Sequence, residues 1–277
     1  MVATRRPVLA LLPVLVLALG ACGGTDDDTS APTTSSAPAS SVPASSVPAS
    51  TAPTATTSGQ ATYRATEKPS ASTNDASTAA ISDQAYTDAQ LAALLKGATI
   101  NGQSVEVASS EYQTKAKQGA YGNQLAASLE QVTYSPAACK QATLAAAHLL
   151  PDSGGVSLAG TDDYLVLLRT FGSSDQAEQL VAANRAAAVA CASYSAEING
   201  STMKGTAKVI EVSAASSGAE VGQVASATTG SKTSSTVTAL GTVGNVGIQI
   251  TDMAGTATAE QLSTALESVA RTIRANR

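Results

Sequence analysis

The sequence has no tryptophan, one phenylalanine (Phe171), one histidine (His148) and three cysteines in 277 residues, and only 13% of it is charged. A single imidazole excludes a multi-histidine metal site and any mechanism that needs two histidines. With aromatics at 3%, alanine, valine and leucine must fill the core. Basic residues are also short, 16 against 21 acidic for a net charge of −5, and loss of Arg5 and Arg6 with a leader leaves 14 against 21, or −7. Nucleic acid is therefore disfavoured as a partner, because no basic excess exists to neutralise phosphates. The longest apolar run, from Val8 to Ala21, is broken by Pro13 and falls short of the roughly 20 residues that cross a bilayer.

What is present at the N-terminus is an address. Arg5 and Arg6 precede that run, and Asp26, Asp27 and Asp28 follow it where a stop-transfer flank would be basic, which is the layout of a secretory signal. It closes on Leu19, Gly20, Ala21 and Cys22. This resembles the lipobox of bacterial lipoprotein precursors. The resemblance implies cleavage after residue 21, acylation of Cys22 by palmitate-type chains, and a lipid-anchored protein on the extracytoplasmic face of the cell membrane. Each buried methylene contributes about 0.8 kcal/mol, so two or three chains anchor durably.

Residues 22–81 are dominated by Ser, Thr, Ala and Pro, with the repeat Ser35-Ser36-Ala37-Pro38-Ala39, Ser40-Ser41-Val42-Pro43-Ala44 and Ser45-Ser46-Val47-Pro48-Ala49. Such a stretch has too little apolar surface to offset its ordering entropy and is expected to be an undecorated, disordered tether. Its reach is roughly 40 Å on random-coil scaling.

From Ser82 to Arg277 the pattern is that of one folded domain. Thr87-Asp88-Ala89-Gln90 reads as a capping box for a helix striped by Leu91, Leu94 and Leu95 and stopped by Gly97. A second helix begins at Ser135-Pro136 and runs to about Leu150, with Cys139, Ala142, Ala146 and Leu149 on one face. Ser173 caps a third, striped by Ala177, Leu180, Val181, Asn184, Ala188 and Cys191. The last starts at the box Thr258-Ala259-Glu260-Gln261 and turns Leu262, Leu266, Val269, Ala270 and Ile273 inward, with Arg271, Arg274 and Arg277 suiting the dipole at its end.

Strands are expected at 104–109, 164–169, 208–212, 220–227, 233–240 and 246–251. The stretch 164–169 is apolar on both faces and so central, whereas Gln249 and Thr251 give the last strand one wetter face. The fold class is α+β, an antiparallel β-sheet with packed α-helices.

Removing Cys22 to the lipid leaves Cys139 and Cys191 in a compartment where disulfides persist, each on the inward stripe of its helix, and a bond between them is expected. The alternatives are two buried thiols or a redox couple, for which Cys-x-x-Cys spacing is lacking.

Catalytic signatures are weak. His148 has no Gly-x-Ser-x-Gly elbow to serve. Ser201-Thr202-Met203-Lys204 matches Ser-x-x-Lys, and Lys232-Thr233-Ser234 partly matches Lys-Thr-Gly, but the intervening Ser-Asp-Asn element is missing. Gly241 to Gly247 leads into a strand and is a turn, not a phosphate cradle. Asp162-Asp163 lacks calcium-loop spacing, and Asn199-Gly200-Ser201 is a turn. Tyrosine pairs an apolar body with a polar tip, so Tyr112, Tyr121, Tyr164 and Tyr194 are the candidate ligand-binding residues. No cofactor, no metal and no catalytic residue is expected.

Three features carry a family resemblance: the helix end Ala186-Ala187-Ala188-Val189-Ala190-Cys191, the strand Gly244-Asn245-Val246-Gly247-Ile248-Gln249-Ile250, and the amphipathic closing helix. On these the segment from Leu91 to Ala275 resembles the extracellular sensor-type domain of the mycobacterial PknH kinase family, found also on actinobacterial lipoproteins. Kinase domains of that family have two disulfides and a tryptophan before one cysteine, where this chain has one cysteine pair and no Trp. The resemblance implies a non-enzymatic extracellular domain that takes a small molecule, lipid or glycan. The rival classes are a cell-envelope hydrolase and a structural or partner-docking lipoprotein.

Overall fold

A computed structural model of the protein describes residues 85–119, 121–151, 154–198 and 200–277. The leader at 1–21, Cys22, the tether at 22–81, residues 82–84 and Asn199 lie outside the described residues.

Among the described residues nine strands form one antiparallel sheet, whose two edge strands are consecutive in the chain, with only the segment 108–132 between them. The nine are β3 (Glu106–Val107), β5 (Val156–Gly160), β6 (Tyr164–Thr170), β11 (Val246–Asp252), β10 (Lys232–Val243), β9 (Glu220–Thr229), β8 (Ser201–Ile210), β7 (Tyr194–Ile198) and β4 (Thr133–Ser135), in that spatial order. A separate hairpin joins β1 (Thr99–Ile100) to β2 (Gln103–Ser104). The α+β expectation holds. The run expected at 104–109 divides between β2 and β3.

Helices cover both faces. On one lie α1 (Asp88–Leu94) and α6 (Ala259–Asn276), whose Leu91, Leu94, Leu262, Leu266, Val269 and Ile273 join Val166, Leu168, Val237, Ala239, Val246, Ile248 and Ile250 in one continuous apolar core. Both helices start at capping boxes in which the threonine side chain accepts from the N3 backbone and the N3 glutamine returns the bond, as their spacing predicts. The other face carries α2 (Ser110–Gln118), α3 (Gly122–Glu130), α4 (Ala137–His148) and α5 (Ser174–Ala190). Its apolar contacts fall into separate small clusters, around Cys139 and Tyr194, around Leu129 and Phe171, around Val156 and Leu167, and around Val181 and Leu240.

Polar side chains break that second core. The expected wetter face of β11 is not wet: Gln249 and Thr251 are buried, because the α2–α5 layer covers them. Period-two alternation marks a polar face without saying whether water or helices lie above it.

Cys139 and Cys191 are bonded, with Cα atoms 4.7 Å apart, and join α4 to the end of α5. Thr143 Oγ1 lies 3.6 Å from Cys191 Sγ. Among the described residues no helix is long and apolar enough to cross a membrane.

Candidate functional site

The α1/α6 face is covered over only part of its width. Beyond Val224 and Ile210, which pack against the main core, the strands turn polar side chains outward. Register sets five of them in a single row across the sheet: Ser135 opposite Ser195, Ser195 opposite Lys204, Lys204 opposite Thr228, and Thr228 opposite Thr233. At about 4.8 Å between strands the row is roughly 19 Å long. Thr206 lies opposite Ser226 in the next row and its hydroxyl is 2.9 Å from that of Ser226; Thr228 and Thr233 are paired at the same distance.

A groove of about 560 Å³ follows this surface, lined by Ser135, Pro136, Ser193, Tyr194, Ser195, Lys204, Gly205, Thr206, Ser226 and Thr228. On the reverse side of the same strands the residues are Ala196, Met203, Ala207 and Ala227, which are buried. The alternation thus buries one set against α4 and α5 and leaves a hydroxyl array, with Lys204 among it, facing out.

A much smaller cavity, of about 20 Å³, lies beneath. Tyr134, Cys139, Thr143, Asn184, Cys191, Tyr194 and Gln223 line it, and it has room for about one water molecule. Burial pushes the Tyr134 hydroxyl up to about 12, with the neighbouring Tyr194 adding to the shift. Burial raises Tyr194 as well, and the two rings lie 6.1 Å apart between centroids. Gly205 is required here, since a Cβ at that position would collide with the Tyr194 ring.

The four candidate tyrosines are not brought together. Tyr112 is exposed on α2 beneath Lys115, whose Nζ is 5.7 Å from the ring centroid. Tyr121 caps α3 and packs with Ala116, Val156 and Leu167. Tyr164 is inside the main core, its hydroxyl accepting a 3.5 Å bond from Asn101. Tyr194 lines both the groove and the small cavity. The signal for the groove was the run of alternating Thr and Lys at positions 202, 204, 206 and 208, which share one face.

Catalytic geometry is not assembled from the motifs. In a strand, residues three apart point to opposite faces, so Ser201 and Lys204 of the Ser-x-x-Lys match are separated by the sheet. His148 is exposed at the end of α4 and has no hydrogen-bond partner among the described residues. Among the described residues no group of three or more His, Cys, Asp or Glu is placed to hold a metal.

Neither a protein-family model nor a curated protein matches the chain. Solved structures similar to it include the following two. The extracellular domain of PknH from Mycobacterium tuberculosis is 13% identical with a TM-score of 0.40, covering 70% of this chain and 100% of that one. A putative uncharacterized protein from Mycobacterium smegmatis is 14% identical with a TM-score of 0.34, covering 52% of this chain and 77% of that one. Overlaps this loose leave the site to be read from the chain's own residues.

Proposed function

We propose that the protein is a lipoprotein of the cell envelope, anchored through Cys22 and tethered by residues 22–81, whose folded domain binds a ligand without catalysis. The observation that carries the reading is the hydroxyl row from Ser135 to Thr233 along an open groove. A surface with this many donors and acceptors, and only Pro136 and Tyr194 as larger apolar lining, suits a hydroxylated polymer, a glycan of the envelope, better than a lipid. Lys204 in the middle of the row adds one cationic contact for an acidic substituent. A binding domain of this kind on a flexible tether has the arrangement of a sensor.

The test is retention of the protein on insoluble polysaccharide from its own envelope. Thr228→Val keeps the strand preference and removes the hydroxyl, and Lys204→Ala removes the charge; both lie on the surface and should change stability by less than about 0.5 kcal/mol. Each is expected to weaken retention several-fold. Retention equal to that of the unaltered chain in both variants overturns the groove as the site.

A further inference from the structure

Arg169 is a buried cation that takes part in no salt bridge among the described residues. It stands on β6, on the face beneath α2–α5, and keeps only 6% of its surface exposed. Its Nη1 donates a long 3.4 Å hydrogen bond to Gln249 Oε1, and Gln249 in turn donates to Thr251 Oγ1 at 3.3 Å. The Nε–H has no partner, and Nη2 makes no hydrogen bond or ion pair among the described residues. The salt bridges among the described residues join Lys115, Lys117, Arg185 and Arg271 to carboxylates at the surface, and none includes Arg169. Burial lowers the guanidinium to about 10, which leaves it charged at neutral pH.

A buried charge without a counter-ion is among the costliest arrangements in a protein, and an apolar residue of like volume is commonly the more stable choice. The free atoms here are not arbitrary. Nε and Nη2 form the side edge of the guanidinium, whose two parallel N–H groups match the two oxygens of a carboxylate or phosphate.

We propose that this edge of Arg169 is a binding site for an oxyanion, with Gln249 as a positioning residue that holds Nη1. The site is on the opposite face of the sheet from the hydroxyl groove and does not depend on that reading. Access is through the α2–α5 layer. Its contacts with the sheet are divided among small clusters, whereas the α1/α6 face is one continuous core, so the helical layer is the part that opens at lower cost. The same chemistry could arrive as a free anion or as the head group of a short-chain lipid.

The experiment is a thermal melt of the whole mature chain, followed by circular dichroism, in sodium phosphate and separately in dihexanoyl phosphatidic acid below its micelle concentration, each against sodium chloride at matched ionic strength. A saturable rise of roughly 5 °C is expected for the unaltered protein at a large excess of anion. A rise in both arms assigns a general oxyanion site; a rise with the lipid alone assigns its head group. Arg169→Met is expected to melt higher in chloride and to lose the anion-dependent rise. Should that variant not fold, the solvent-protected arginine Nε–H resonance of the unaltered protein is followed by nitrogen-15 NMR, and it shifts on addition of phosphate or of the lipid. Equal anion responses in the unaltered protein and Arg169→Met, or no response of either the melt or the protected Nε–H signal, overturn the proposal.

Discussion

Cys139 and Cys191 are the residues whose chemistry is most easily tested. The bond closes a loop with a sequence separation of 52, and restricting the unfolded chain by that much stabilises the fold by about 4 kcal/mol on the chain-entropy model. Cys139→Ser should therefore lower the midpoint of urea unfolding as far as reductant does, and reductant should have no further effect on the variant. Tyr134 makes a pH prediction. Its hydroxyl titrates at about 12 in the fold and near 10 when unfolded. The native state thus keeps a proton that the unfolded chain has released, and stability falls as pH rises from about 10 to about 12. The loss should be about 1 to 2 kcal/mol, given the partial exposure of the ring. Tyr134→Phe should reduce the slope of an alkaline unfolding curve, and an unchanged slope would contradict this assignment. Both cysteines were legible because their positions fall on inward stripes. Arg169 was not, since in sequence it merely ends the apolar run 164–168, and only the helices above it turn a strand-end cation into a buried one.

At the scale of elements, helices were legible where caps and stripes coincide. Thr87 with Gln90 and Thr258 with Gln261 form the boxes their spacing implies, and Ser173 accepts from the Gln176 backbone at the start of α5. The helices α2 and α3 left weaker marks. In α2 only Ala116 is buried, and neither helix has a side-chain hydrogen bond at its N-cap. The strands β4 and β7 are short and pair with each other across some 60 residues of sequence, so tertiary pairing rather than local pattern makes them strands. The unequal cores of the two faces predict unequal local stability. Amides of α2 and α3 should exchange with deuterium well before those of α6, β10 and β11, which open only with the whole domain. Within the continuous core, Leu266 is fully buried, and Leu266→Ala should cost about 3 kcal/mol in a urea titration by removing contacts and leaving a cavity. A loss below about 1 kcal/mol would mean that the α1/α6 face can collapse around the gap.

At the scale of the whole molecule, the two ends of the described chain meet. Arg277 donates from Nε to the Tyr86 hydroxyl at 2.9 Å and from Nη1 to the Val243 carbonyl at 2.6 Å, its guanidinium lying 5.3 Å from the Tyr86 ring centroid. Tyr86 also donates its backbone N–H to Thr170 on β6, so the entering segment is fixed beside that strand. The hydroxyl groove is built on β4, β7, β8 and β9, and β6 is separated from β7 by four intervening strands, roughly 24 Å across the sheet. The groove thus lies toward the other end of the sheet from the strand that holds the entering segment. The proposed anchor at Cys22 makes a prediction of its own. On the proposed reading, changing Cys22 to Ala removes the thiol that would be acylated, and with it the chains whose burial would oppose release. The variant should move from the detergent phase to the aqueous phase of a cell fraction and should no longer take up labelled palmitate, while its melting temperature stays that of the unaltered domain because Cys139 and Cys191 remain bonded. Retention of the variant in the detergent phase would place the membrane attachment elsewhere in the chain.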